Sequence, residues 1–370
     1  MASIAQREAD RTRIEHLDAR ISQSNLDLDT LSAAQHERKL LKKRLAEYTY
    51  PVHTLPYEIV AHIFGHFLPV YPLCPPAFGP LAPTTLAQIC HRWREIALET
   101  PTLWRAISLY IKVNGPAQYR RNGLRCLETW LRLSKSCPLS ICLQGMTSNH
   151  PENLVPFMVA ISSECARWEY LTIGLAMKYR PFQECACGML RSLRIRANWW
   201  DQGWTPVDAP NLRTVVVDVD EFHSGPPPHL PWAQLTTLHL HCIAPPHFMA
   251  ILHNAVSLVH CKVTILARAG LETNAAQINA TPLVLLHLQT LLVKDASISA
   301  GAPIGWFSLA TFPVLRRLQV PRWLLEPDPA ATLLALVSRS GYSLQQLYIP
   351  DSCVNLRNAC RAALPVCRRW

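Results

Sequence analysis

A leucine-patterned frame that recurs in the second half of the chain constrains its fold more than any other feature. The frame is L-x-x-L-x-L with apolar substitutions, and successive units begin 22 to 30 residues apart. Its eight units are Trp168-Leu171-Ile173, Leu190-Leu193-Ile195, Leu212-Val215-Val217, Leu235-Leu238-Leu240, Leu258-Cys261-Val263, Leu288-Leu291-Val293, Leu315-Leu318-Val320 and Leu344-Leu347-Ile349. Alternating apolar positions predict a short strand in each unit, and one strand cannot bury its apolar face alone. We therefore expect neighbouring strands to stack around a shared core.

The chain between these units is of two kinds. Segments 247–256 and 329–341 have helical patterns, whereas 201–210 and 221–233 are proline-containing and are expected to be irregular. Two further alternating segments, 107–113 and 139–143, precede the first unit, with a helix-like stretch between them. The unit length is typical of leucine-rich repeats. Because the usual repeat asparagine is mostly missing, we interpret 105–370 as a degenerate leucine-rich-repeat-like solenoid, with an unrelated α/β domain as the alternative.

Two amphipathic helices are predicted before this array. Leu55-Pro56 predicts the start of the first helix, because proline at the first helical position loses no needed hydrogen bond. Leu68-Pro69 predicts its end, because a residue before proline avoids the α region. Between them, apolar residues three and four positions apart form one stripe, consisting of Ile59, Val60, Ile63, Phe64 and Phe67.

The second helix is expected from Thr85 to Thr100, after a loop over 70–83 that holds five prolines. Thr85 and Gln88 have the spacing of a capping box. A pair of short helices cannot bury Ile63, Phe64, Trp93 and Trp104 by itself. We therefore expect the following domain, or another protein, to cover part of this apolar surface.

The motifs LPxEIxxxIF and ICxRWRxIAxxTPxLW occur in order over about fifty residues. This segment, 51–104, resembles the F-box, most closely the version abundant in mushroom-forming fungi. The resemblance implies binding to a Skp-type adaptor and, through it, to a cullin scaffold. The residues that it implies as adaptor-binding are Leu55, Pro56, Ile59, Ile63, Ile89, Cys90, Trp93, Leu103 and Trp104. An ordinary helical core segment is the alternative interpretation.

The segment 1–50 is polar and is predicted to be an arm of one or two helices. Ile14, Leu17, Ile21, Leu28 and Leu31 fit a heptad, but the repeat then falters. A coiled-coil-like partner or dimer role is therefore one possibility, and a helix that folds back on its own chain or stays solvated is the other. The predicted fold class is α+β overall, with a helical arm and helical F-box followed by the α/β solenoid.

Composition and motifs exclude several kinds of function. No apolar run is long enough to span a bilayer and no signal peptide is recognisable, so we expect a soluble cytoplasmic or nuclear protein without a membrane partner. The net charge of +10 is dispersed, which favours a role in solubility or an acidic partner over a nucleic-acid surface. His62 and His66 lack the glutamate of a zinc helix, and Cys185 and Cys187 lack metal-site spacing. No catalytic or cofactor motif was found, so we expect no metal, no cofactor and no enzyme activity.

The expected function is that of a substrate receptor in an SCF-type ubiquitin ligase, with a non-catalytic repeat scaffold as the alternative. Side chains that point outward between the core positions of the frame would face the target. These are Arg194, Arg196, Asp218, Asp220, His239, His241, Lys294, Gln319 and Tyr348. Asp218, Asp220 and Glu221 could form a cation site, but solvated acids at a strand end are the favoured interpretation.

Overall fold

The protein is described by a computed structural model, which covers most of the chain. The described residues are 4–22, 27–46, 51–112, 114–145, 151–174, 186–199, 208–221, 230–265, 282–295, 307, 309–341 and 344–350. Most of the two proline-containing connections predicted at 201–210 and 221–233 lies outside them.

The helices of the described chain fall into an N-terminal pair, a middle group and a set that alternates with strands. The N-terminal pair is α1 (Ile4–Ile21) and α2 (Leu28–Ala46). The middle group is α3 (Tyr57–Phe67), α4 (Leu86–Ile89) and α5 (His91–Glu99). The remaining helices are α6 (Ala117–Leu133), α7 (Val155–Ser162), α8 (Pro245–Asn254) and α9 (Pro329–Ser340).

Ten strands form one parallel sheet whose spatial order follows the sequence. In that order they are β1 (Ala106–Ile111), β2 (Leu139–Gly145), β3 (Trp168–Gly174), β4 (Ser192–Trp199), β5 (Thr214–Glu221), β6 (Thr237–Ile243), β7 (His260–Ile265), β9 (Thr290–Asp295), β11 (Arg317–Gln319) and β12 (Gln346–Tyr348). Two short strands, β8 (Leu283–Val284) and β10 (Ala310–Thr311), lie in the connections before β9 and β11 and pair with each other. The predicted parallel stacking of neighbouring strands is thus present.

The register aligns the second leucine of every frame into one row. This apolar ladder consists of Ile107, Ile141, Leu171, Leu193, Val215, Leu238, Cys261, Leu291, Leu318 and Leu347. Each of these side chains is at most 2% exposed. They share one hydrophobic core with buried residues of the connecting helices, including Trp130, Phe157, Phe248 and Leu336. One sheet face is therefore buried, and alternate residues lie on the opposite face.

The predicted helices at 247–256 and 329–341 correspond to α8 and α9. Asp328 caps α9 through hydrogen bonds from the backbone of Ala330 and Ala331, both 3.1 Å long. Gly341 ends it at φ +66°, a left-handed conformation that glycine adopts without strain. Helix α7 was not predicted, because its sequence is apolar nearly all round and has no clear period.

The proline-rich loop over 70–83 closes the first edge of the sheet. The backbone N–H of Ser108 on β1 donates to Pro75 (2.8 Å), and the N–H of Ala77 donates to Ser108 (2.8 Å). The Ser140 hydroxyl donates to the carbonyl of Pro72 at 2.7 Å. Unpaired edge strands tend to aggregate, so this loop protects β1 in place of an eleventh strand.

Helices α1 and α2 form an antiparallel hairpin with a small core of its own. Leu17, Ala34 and Leu41 are buried between the helices. Arg44 pairs with Asp10, and Arg13 Nε donates to Glu37 at 2.8 Å. Of the possibilities left open by the sequence, folding back on its own chain is the one observed. Self-association of the arm remains a prediction.

Candidate adaptor-docking site

Helix α3 begins and ends close to the two predicted proline signals. Pro56 is the N-cap residue, with φ −54° and ψ 152°, and the helix proper starts at Tyr57. Leu68 is extended (ψ 156°), as expected for the residue before Pro69, and it stops the helix.

The apolar stripe of α3 is divided into a buried half and an exposed half. Val60 and Phe64 are each 1% exposed and belong to the main core. Ile59 is 48%, Ile63 45% and Phe67 36% exposed. These last three residues, four positions apart along the helix, are here called the exposed stripe. Exposed apolar side chains in such a row are typical of a protein interaction site.

The second half of the segment contains two helices where the sequence predicted one. Cys90 is extended (φ −156°, ψ 169°) and separates α4 from α5. Its Sγ accepts a hydrogen bond from the backbone N–H of Trp93 at 3.4 Å, so cysteine acts as the N-cap. The predicted capping box is wrong, because the Thr85 hydroxyl donates to Gly79 instead (3.1 Å). Cysteine is not a usual capping residue, which is why sequence patterns missed this break.

Contacts between α3 and α5 fix the orientation of the exposed stripe. The Phe64 and Trp93 rings meet edge to face with centroids 4.9 Å apart. Arg92 donates to the carbonyl of Leu55 at 2.7 Å, and Tyr57 hydrogen-bonds Thr100 at 3.2 Å.

The remaining predicted adaptor residues differ in accessibility. Ile89 is 57% exposed at the end of α4, and Pro56 is also exposed. Leu55, Cys90 and Trp93 are half-buried. Among the predicted adaptor residues, the large apolar side chains that remain exposed are therefore Ile59, Ile63 and Ile89. Phe67 was part of the predicted stripe but was not singled out for the site, although its spacing from Ile63 was visible in the sequence.

Leu103 and Trp104 lie in the interior, which corrects the expectation that they face an adaptor. They are 1% and 3% exposed. Trp104 Nε1 donates to the carbonyl of Ala97 at 2.7 Å, and its ring meets Trp130 of α6 edge to face, with centroids 5.3 Å apart. The cover that two short helices could not supply comes from the following domain. These residues join the helical segment to the sheet.

A polar cluster attaches the proline-rich loop to the sheet. Tyr71 donates to Glu169 at 2.8 Å, and the guanidinium of Arg105 stacks 3.9 Å above the Tyr71 ring. Burial and the nearby Glu169 carboxylate raise the pKa of Tyr71 well above its ordinary value, so its hydroxyl remains a donor. Arg191 pairs with Glu169 at 2.9 Å. No local sequence pattern signals this cluster, because its members lie far apart in the chain.

The predicted target-facing residues lie on the sheet face opposite the apolar ladder. Arg194, Arg196, His241, Lys294 and Tyr348 are exposed, and Asp218, His239 and Gln319 are half-buried. Asp220 and Glu221 lie on β5, but their side chains are outside the described part, so of the three neighbouring acids only the Asp218 side chain is described. Lys262 was missed, although it occupies the same outward position of its frame.

The candidate metal ligands are the histidine pair His62 and His66 and the cysteine pair Cys185 and Cys187. The ring nitrogens Nε2 of His62 and His66 are 3.1 Å apart on α3. Within the described ranges, no group of three or more potential metal ligands comes together. Cys187 is buried, and Cys185 lies outside the described residues.

Burial raises the pKa of Cys74 to about 11 and that of Cys261 to about 12. Both thiols are therefore protonated at neutral pH, a state that is unfavourable for a nucleophile. Among the described helices, none is both long and apolar enough to cross a bilayer.

Comparisons with known proteins agree with this geometry for one segment of the chain. A search of curated proteins finds no match. Residues 52–110 match the model of the F-box-like family. They include α3, α4, α5 and the exposed stripe, together with the proline-rich loop and most of β1. The chain therefore carries an F-box-like domain, packed through Leu103 and Trp104 onto a parallel sheet.

Proposed function

We propose that this protein is the substrate-receptor subunit of an SCF-type ubiquitin ligase. An F-box-like domain implies a Skp-type adaptor and, through it, a cullin. The observation that carries the proposal is the divided stripe of α3. Val60 and Phe64 anchor the helix in the core, which leaves Ile59 and Ile63 available for an adaptor.

The parallel sheet, interpreted as a degenerate leucine-rich-repeat-like solenoid, would hold the target on its open face. Catalysis would come from proximity, because a bound target has a high effective concentration near the charged conjugating enzyme. The chain itself would make and break no bond and need no cofactor. Its place of action would be the cytoplasm or the nucleus.

Co-purification of the full chain with a Skp-type adaptor tests the docking half of the proposal. The variant Ile59→Asp/Ile63→Asp places two charges on the exposed stripe, where desolvation in an interface is costly. We expect adaptor affinity to fall more than about thirtyfold, as for interface hot spots. The control is Val159→Asp, since Val159 is 54% exposed on α7. Equal adaptor binding by wild type and the double variant would overturn the assignment of this surface.

Protein turnover separates the receptor from the non-catalytic scaffold considered above. Proteins captured by the chain in cells would be quantified with wild type and with the Ile59→Asp/Ile63→Asp variant. A receptor predicts that some captured proteins accumulate only when adaptor docking is lost. Unchanged abundance of every captured protein would favour the scaffold.

A further inference from the structure

The open face of the sheet carries a second row of aligned side chains. Strand register places Arg194, Val216, His239, Lys262 and Leu292 side by side on β4, β5, β6, β7 and β9. Adjacent strands are about 4.8 Å apart, so Arg194 and Lys262 are separated by about 14 Å. Arg194, His239 and Lys262 are here called the basic row.

The basic row has a positive local field. Burial is the main cause of the lowered pKa of His239, and the nearby Lys262, Arg194 and His260 side chains lower this pKa further. Arg194 on β4 and Lys262 on β7 thus place two positive charges on either side of His239. Arg194 and Lys262 are exposed and accessible to a ligand.

One acid on this part of the face, Asp218, is already paired. Asp218 on β5 forms an ion pair with Arg196 Nε at 3.4 Å, and its carboxylate lies 3.7 Å from His241 Nδ1. In the part of the chain that the structure describes, no carboxylate forms an ion pair with Arg194 or Lys262. Arg194 and Lys262 therefore retain their charges for a partner.

We propose that β4 to β7 bind an extended segment of a target protein that is rich in Asp and Glu, laid across the strands over the basic row. This inference rests on the proposed receptor function and names the chemistry of its target. A span of about 14 Å matches four to five extended residues at about 3.3 Å each. Val216 and Leu292 offer apolar contacts within the row, which favour a polypeptide with apolar side chains over a nucleic acid backbone.

Fluorescence anisotropy with the full chain tests the inference. The labelled probes are a ten-residue peptide with five Glu and Asp residues, a peptide carrying its charge on phosphoserines, and a ten-nucleotide single-stranded RNA. We expect the Glu/Asp peptide to bind, with affinity that falls as salt rises. Arg194→Glu/Lys262→Glu is expected to weaken this binding at least about tenfold.

The matched control is Arg121→Glu/Arg125→Glu, which makes the same change in net charge on the exposed surface of α6. Equal weakening in both variants, no binding of the Glu/Asp peptide, or stronger binding of the phosphopeptide or RNA would each overturn the inference. Adaptor co-purification with Arg194→Glu/Lys262→Glu is expected to match wild type. Failure of docking by wild type would instead overturn the proposed receptor function, which keeps the two failures distinguishable.

Discussion

The apolar ladder of the sheet and helix α3 use the same residue types in different ways. Leu193 in the ladder is fully buried, whereas Ile63 on α3 remains 45% exposed. In the sheet, each repeated unit covers the face of its neighbour, so the apolar row is enclosed by the chain itself. Within the described residues, helix α3 has no equivalent neighbour on one side. An apolar pattern therefore shows where burial is required, but not whether the same chain provides it.

The largest expected difference is in stability. Leu193→Ala removes a fully buried side chain from the ladder and is expected to cost about 2–5 kcal/mol of unfolding free energy. Ile63→Ala removes a side chain that solvent already reaches and is expected to cost less than about 1 kcal/mol. Urea denaturation of both variants measures the difference. Similar losses would mean that the exposed stripe is part of the core, and the comparison would fail.

A smaller effect is expected where the loop closes the sheet edge. Ser140→Ala leaves the Pro72 carbonyl without its hydroxyl donor at a site where Ser140 is 3% exposed, which costs about 1–3 kcal/mol. Hydrogen exchange of the Ser108 and Ala77 amides should rise with the loss of stability. Thr129→Ala removes an exposed hydroxyl of α6 as the control. Unchanged exchange at Ser108 and Ala77 in Ser140→Ala would show that this bond does not hold the loop.

The smallest effect is expected in the N-terminal hairpin, where ion pairs lie beside the apolar residues that are buried between α1 and α2. Hydrogen bonds from Arg44 and Arg13 lower the pKa values of Asp10 and Glu37. A lowered pKa in the folded state gives stability above the unfolded pKa, which is lost as pH falls through the folded value. We expect protection factors in α1 and α2 to fall a few-fold between pH 6 and 3.

Hydrogen exchange with mass spectrometry, corrected for intrinsic rates, measures this change in the hairpin. Asp10→Asn/Glu37→Gln is the control, with lower protection that depends less on pH. The same pH dependence in wild type and control would remove these carboxylates as its cause.

Much of the sheet was predictable because its signal is local and repeated. The frame that begins at Leu190 and its counterparts each predict a strand with alternating apolar residues. The strand register places the equivalent positions of these frames side by side. The signals at Pro56 and Pro69 likewise located α3 to within one or two residues. The break at Cys90 was not predictable, because the N-cap of α5 is a cysteine thiol that accepts from the Trp93 N–H, and cysteine is not a usual capping residue.

The sequence by itself determined the strand period, the ends of α3 and the presence of an apolar stripe, since each depends on neighbouring residues and backbone sterics. The tertiary structure alone decided which half of the stripe is covered, that Trp104 packs on Trp130, and that Pro75 pairs with β1. These outcomes depend on surfaces that are distant in the chain. A residue's polarity sets the free energy gained by burial, but the arrangement of the whole fold decides which surfaces supply it.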